Sequence, residues 1–251
     1  MEHGFIDRYG NLDSCVHRLD ARVKILSAFS FIILAVTTPP KHLLAFVIYA
    51  GLLLWTVALS RVPLWHIVSR AAIVIPFSAF VALGLPFLEG KETVNFSGID
   101  LSVPGLWLLA GAVMKASLGV AALVLLVSTT PFNRLLEGLR QLKVPSLFID
   151  LLALTYRYVF ILADQAMRLR RAAQARGFRP RWLPQAAVIG RQTGHLFVRS
   201  YNRAERIYGA MRLRGYNGSM PAGPSTALSG KNVLVLTLAV ATLVFVRLFA
   251  K

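Results

Sequence analysis

The sequence predicts an all-α integral membrane protein, with about five transmembrane helices and a cytoplasmic helical region in which two long helices cross. Three observations carry this expectation. Hydrophobic residues make up 56% of the 251 and charged residues only 16%, a balance too apolar for an ordinary soluble domain. Five stretches approach the roughly 20 apolar residues that cross a bilayer. The cations are gathered in one place: Pro131–Met220 holds 16 of the 28 lysines and arginines against four acidic residues. By the positive-inside bias that segment is cytoplasmic.

In chain order, Met1 to Asp13 is mixed polar and acidic, so no secretory signal is expected. The lone Cys15 excludes an intrachain disulfide and a cysteine-based metal site. Arg18, Arg22 and Lys24 place the N-terminus on the cytoplasmic side, ahead of a first span at Ile25–Thr38. Leu43–Leu59 is apolar apart from Thr56. A basic connector with Arg61, His66 and Arg70 leads to a third span, Ala71–Leu88, where Phe77, Phe80, Leu83 and Leu85 face lipid by default. Residues 89–102 carry Glu89, Glu92 and Asp100 against Lys91 and suit an outside loop. Pro104–Val127 is the longest span. Lys115 lies near its middle, where a charge is costly, so it calls for pairing inside the bundle, snorkelling or a partner subunit. Val233–Phe249 closes the chain, leaving Lys251 outside. The partition is therefore 1–130 as a bundle of four spans, 131–220 as cytoplasmic helices, and 221–251 as a linker and the last transmembrane helix.

A sixth apolar stretch, Ser146–Ala163, fails on orientation. Arg134, Arg140 and Lys143 precede it and Arg168, Arg170 and Arg171 follow it, so a crossing would put one cluster outside. Asp150, Arg157, Asp164 and Arg171 recur every seven residues on one helical face, a stripe that lipid does not accommodate. The stretch is read as the start of a long surface helix, with Leu147, Leu151, Leu154, Tyr158 and Ile161 packed on the membrane bundle. Three helices follow from the punctuation. The first is Pro131–Leu142, opened by proline. The second runs from Ser146, after the break at Pro145, to Arg176. The third ends at Arg214, after Gly177, Arg179-Pro180 and Pro184. Gly190 and Gly194 form a small-residue pair that suits a close helix crossing.

The second and third helices end on the same phrase. Ala172-Ala173-Gln174-Ala175-Arg176-Gly177-Phe178 and Ala210-Met211-Arg212-Leu213-Arg214-Gly215-Tyr216 stand 38 positions apart, and the match extends back through Ala166/Ala204 and Arg168/Arg206. An arginine before a helix-stopping glycine is ordinary C-terminal capping chemistry. Two such ends in register also suit a pair of related partner sites.

This duplication resembles the transmembrane T component of energy-coupling factor (ECF) transporters. So do Ser128-Thr129-Thr130-Pro131, the Leu142-Lys143-Val144-Pro145 break, and the N-terminal Ser14-Cys15-Val16-His17-Arg18-Leu19-Asp20-Ala21-Arg22-Val23-Lys24. The N-terminal phrase is most similar to the cobalt-type CbiQ family, and the likeness covers essentially the whole chain. It implies a non-catalytic coupling subunit of an ATP-driven importer in a bacterial cytoplasmic membrane. Two ABC-type ATPase subunits would join it to a substrate-capturing membrane subunit, with cobalt as cargo ahead of nickel or a vitamin. The matching positions are Ala175, Arg176 and Gly177 in one copy and Leu213, Arg214 and Gly215 in the other. Leu213 departs from the alanine common in the family, so packing beside that arginine differs.

No cofactor and no catalytic or metal-ligating residue is expected. His3, His17, His66 and His195 are too dispersed for a ligand set, and no GxxxxGK[ST] phosphate loop occurs. Two rivals use the same cations. A membrane enzyme for anionic substrates fits the net charge of +17 but lacks an acidic cluster for Mg²⁺ chemistry. Nucleic-acid binding lacks interleaved aromatics, so no nucleic-acid partner is expected.

Overall fold

A computed structural model describes residues 14, 16–40, 42–82, 84, 93–96, 99–178, 186–218 and 230–249. Cys15, Leu83, Leu85, Glu89, Lys91, Glu92, Arg179, Pro180, Pro184 and Lys251 lie outside them, as do His3 and the rest of 1–13. Among the described residues there are eight helices and one short hairpin. The elements are α1 (Ala21–Thr37), α2 (Leu43–Ser60), α3 (Leu64–Ala82), β1 (Thr93–Phe96), β2 (Ile99–Ser102), α4 (Val103–Thr129), α5 (Phe132–Gln141), α6 (Ser146–Ala175), α7 (Ala186–Leu213) and α8 (Gly230–Phe249). The strands pair antiparallel, with Thr93 opposite Ser102 and Phe96 opposite Ile99. The fold is the expected all-α membrane architecture, the hairpin being an ornament on the α3–α4 connection.

By length and composition four segments are long and apolar enough to cross a membrane: Leu43–Ser60, Leu64–Val81, Pro104–Thr129 and Ser146–Ala175. α8 carries a shorter apolar segment, Asn232–Leu248, and α1 has 17 residues. Hydropathy thus admits α6 and gives shorter stretches for the first and last of the five expected spans. What sets α6 apart is its charge pattern. The third span also starts earlier than its sequence reading, because Pro63 opens the helix: the His66 amide donates to the Pro63 carbonyl at 3.0 Å. His66 and Arg70 are therefore helical residues of α3 and do not form a connector.

The chain divides into two compact units, 139–225 and 2–138 with 226–251, the division falling within α5. In the larger unit, α2 buries Ala45, Tyr49, Leu53 and Val57 at near-helical spacing and leaves Leu44, Val47, Leu54 and Trp55 exposed on the rest of its circumference. That division suits a helix with protein on one side and lipid on the other. Tyr49 is fully buried, edge-on to Phe31 of α1 with ring centroids 5.8 Å apart. Ala121 and Ala122 of α4 and Leu243 of α8 complete the core. Small residues set the spacing where chains meet. A Cβ on Gly111 would collide with Pro40, whose Cα would lie 3.3 Å away, and one on Gly138 would lie 2.9 Å from the Ala21 Cβ.

Two lysines tie α1 to α4, one at each end of α1. A helix finishes with carbonyls that lack intrahelical donors, and neither helix has a basic residue in its last turn. Lys24, in the first turn of α1 ahead of the apolar segment, donates to the Thr129 carbonyl that ends α4 at 2.9 Å, and to the His17 carbonyl at 3.3 Å. Lys115 of α4 donates to the Val36 carbonyl in the last turn of α1 at 2.7 Å. Its partner is thus inside the bundle. The Thr38 hydroxyl serves the Leu34 carbonyl at 2.7 Å.

Burial, followed by repulsion from Arg134, lowers the Lys24 ammonium from 10.5 to about 8, with Asp20 acting weakly in the other direction. Between those values the unfolded chain holds a proton that the folded one has released, so stability rises with pH across this window. Below about pH 8 the ammonium is charged in both states and the full cost of its burial is present. The thermal midpoint in detergent is expected to climb from pH 8 towards 10, and the climb to shrink in Lys24→Met. Gly111→Ala is expected to lower the midpoint through overpacking of about 1–3 kcal/mol. Gly51→Ala, whose Cβ meets nothing within 4 Å, leaves it unchanged or raised.

Candidate functional site

The repeated phrase becomes a repeated backbone geometry. At the end of α6 the Phe178 amide donates to the Ala173 carbonyl at 3.1 Å and the Gly177 amide to the Gln174 carbonyl at 3.0 Å. At the end of α7 the Tyr216 amide reaches the Met211 carbonyl and the Gly215 amide the Arg212 carbonyl, both at 3.0 Å. These paired bonds are the Schellman motif. They require a left-handed residue after the cap, and Gly177 and Gly215 supply it with φ of +79° and +84°. The arginines thus sit at the cap itself, just past the helical residues in which the sequence reading placed them.

Because the backbone satisfies its own terminal carbonyls, the guanidinium groups are released from capping. Arg176 and Arg214 are exposed, and among the described residues neither has a hydrogen bond or ion pair to its side chain. Ala175, Gly177, Leu213 and Gly215 are exposed beside them. Each end therefore presents a cation with small or apolar neighbours, suited to a carboxylate that accepts two parallel N–H bonds.

The two helices hold these ends apart. Leu154, Tyr158 and Leu162 from the middle of α6, with Tyr201, Ile207 and Met211 of α7, line an apolar groove of about 500 Å³. Arg214 lies between the groove residues Met211 and Tyr216, whereas Arg176 lies 14 residues past Leu162, on the order of 20 Å along the helix. Leu154 and Tyr158 line this groove with α7. Leu147 and Leu151 are exposed, and Ile161 is half-buried. Among the described residues no segment crosses closely at Gly190 and Gly194, since a Cβ on either would meet nothing within 4 Å. These glycines are exposed, and small size in a sequence does not distinguish a crossing from an open face.

The charged stripe on α6 is unevenly used. Asp150 is 2% exposed and pairs with Arg140 of α5, while Arg157 and Arg171 are exposed and Asp164 is half-buried. The ion pair fixes the start of α6 against the end of α5. That end forms the same paired-bond motif, Val144 to Leu139 at 3.2 Å and Lys143 to Arg140 at 3.1 Å, with Lys143 held at φ +64°. In the sequence Arg140 is one cation of a basic flank. Its ten-residue separation from Asp150 across a proline break gave no spacing signal.

The family model described as cobalt transport protein, CbiQ, matches residues 13–223. The chain is 34% identical over 236 residues to the cobalt transport protein CbiQ of Rhodobacter capsulatus, covering 88% of this chain and 88% of that one. It is 27% identical over 233 residues to the energy-coupling factor transporter transmembrane protein EcfT of Staphylococcus aureus, covering 86% of this chain and 84% of that one. It is also 34% identical over 122 residues to the nickel permease LarQ of Lactiplantibacillus plantarum, covering 46% and 44%.

Alanine at Gly177 or Gly215 forces a side chain into the left-handed region at a cost of roughly 1–2 kcal/mol. Amide exchange at Phe178 or Tyr216, respectively, is expected to accelerate in each variant, with the remote helix end unaffected. Lys143→Gly relieves the same strain at the end of α5 and is expected to slow exchange at Val144.

Proposed function

The chain belongs to the CbiQ family of cobalt transport proteins, and on that premise we propose that it is the transmembrane coupling subunit of an ECF-type importer driven by ATP. The observation that carries this reading is the duplicated helix end, where Arg176 and Arg214 are exposed in matching backbone frames without intramolecular partners among the described residues. Each arginine enters an acidic groove on one of two ABC-type ATPase subunits. Ala175 and Gly177, or Leu213 and Gly215, let the surfaces approach. The bidentate geometry supplies orientation as well as attraction, which lysine would not reproduce.

In this reading the cation-rich segment 131–220 and the N-terminus face the cytoplasm of a bacterial cell. Hydrolysis takes place in the ATPases, and this chain contributes no catalytic group. When nucleotide draws the two ATPases together, the ends of α6 and α7 move with them. The long helices carry that displacement towards a substrate-capturing membrane subunit, a two-state transmission of the hinge-and-shear kind. Cobalt is the proposed cargo, in keeping with the family description and the Rhodobacter relative. It is handled as substrate by the capturing subunit.

Truncating one partner of a desolvated charge pair typically costs about 2–5 kcal/mol, so charge reversal is expected to abolish binding. Affinity purification in detergent is expected to recover two ATPase subunits with the wild-type chain and none with the Arg176→Glu, Arg214→Glu double variant. Equal recovery from both would remove the docking role. ATP-dependent uptake of Co²⁺ in preference to Ni²⁺ by the reconstituted complex tests the cargo.

A further inference from the structure

The two ends share a backbone frame but differ in surface. Superposing the motif residue by residue places Gln174-Ala175-Arg176 on Arg212-Leu213-Arg214. The difference next to the arginine is a whole isobutyl group: Leu213 is 92% exposed, the highest value among the exposed large hydrophobic residues described, where the other end has only the methyl of Ala175. It is the last helical residue of α7, adjoining the cap that carries Arg214. A leucine this exposed adds nothing to folding of the free chain, because burial in a core is what makes an apolar side chain stabilising.

We propose that the two docking ends are inequivalent: Leu213 gives the α7 end an apolar contact that the α6 end lacks, so the ATPase at Arg214 is held more tightly than the one at Arg176. This rests on the coupling reading above. The occupant is an ATPase subunit whose acidic groove has an apolar wall beside the carboxylate. An arginine pair supplies orientation, and an adjacent leucine withdrawn from water adds affinity, the arrangement of a charged contact with an apolar neighbour that excludes solvent. The α7 end then stays occupied while the α6 end exchanges, and assembly runs through an intermediate with one ATPase on α7.

The test uses the full-length chain in lipid nanodiscs and the ATPase that co-purifies with the wild-type protein. Arg176→Glu leaves only the α7 end competent, and Arg214→Glu leaves only the α6 end. The α7-competent chain is expected to bind one ATPase on the order of tenfold more tightly, the yield of withdrawing a side chain of this size from water. Leu213→Ala in the Arg176→Glu background is expected to erase that advantage, and Ala175→Leu in the Arg214→Glu background to create one. Because Leu213 is exposed, the Leu213→Ala chain keeps the wild-type melting temperature. Equal affinity at both ends, or an advantage that survives Leu213→Ala, overturns the inequivalence and leaves the coupling reading standing. Failure of the wild-type chain to bind any ATPase overturns both.

Discussion

Helix C-termini end in carbonyl oxygens that the helix itself cannot satisfy, and how each end of this protein meets that demand decides what the helix is for. α1 and α4 borrow donors from each other: Lys24 serves the Thr129 carbonyl, and Lys115 serves the Val36 carbonyl. The exchange places a cation at the negative end of each dipole and binds α4 to both extremities of α1. Dispersion alone would leave their axial position free. α5, α6 and α7 instead satisfy their own carbonyls by a left-handed turn and two backbone bonds. The first solution spends side chains on holding the bundle together, and the second releases them.

That release explains why a pair of arginines stands at the tips of long helices without intramolecular use among the described residues. A cation near a helix end is ordinarily read as dipole compensation, worth a few tenths to about 1 kcal/mol at an exposed site. Here glycine already terminates the backbone, so the guanidinium forks are available to a partner. Their placement at the C-terminal ends of two different helices gives one chain two separate contacts. The Arg140–Asp150 pair anchors the base of α6, and the groove between α6 and α7 sets their approach.

Much of this was legible in the sequence because it is local. The helix ends at residues 176 and 214, the proline-opened α5 and the apolar α2 and α4 follow from glycine, proline and uninterrupted hydrophobicity. The start of α3 was misplaced because His66 and Arg70 look like connector residues by charge, whereas Pro63 had already opened the helix. Contacts between distant positions were not legible. Lys24 and Thr129 are 105 residues apart, and nothing in either neighbourhood names the other. Gly111 against Pro40 and Gly190 in open space look alike as sequence, since only the fold decides which glycine another segment approaches. Leu213 was visible as a departure from a pattern, but its exposure required the helix to be built.

The most direct test of two docking ends is a count of ATPases captured at each. With Cys15 replaced by serine, single cysteines at Ala175 and at Leu213 leave both arginines in place and can be cross-linked to the ATPase in native membranes. Each single-cysteine chain should give an adduct with one ATPase, and the double-cysteine chain should carry two at once. An adduct from only one position, or a double variant that never exceeds one ATPase per chain, would contradict the account.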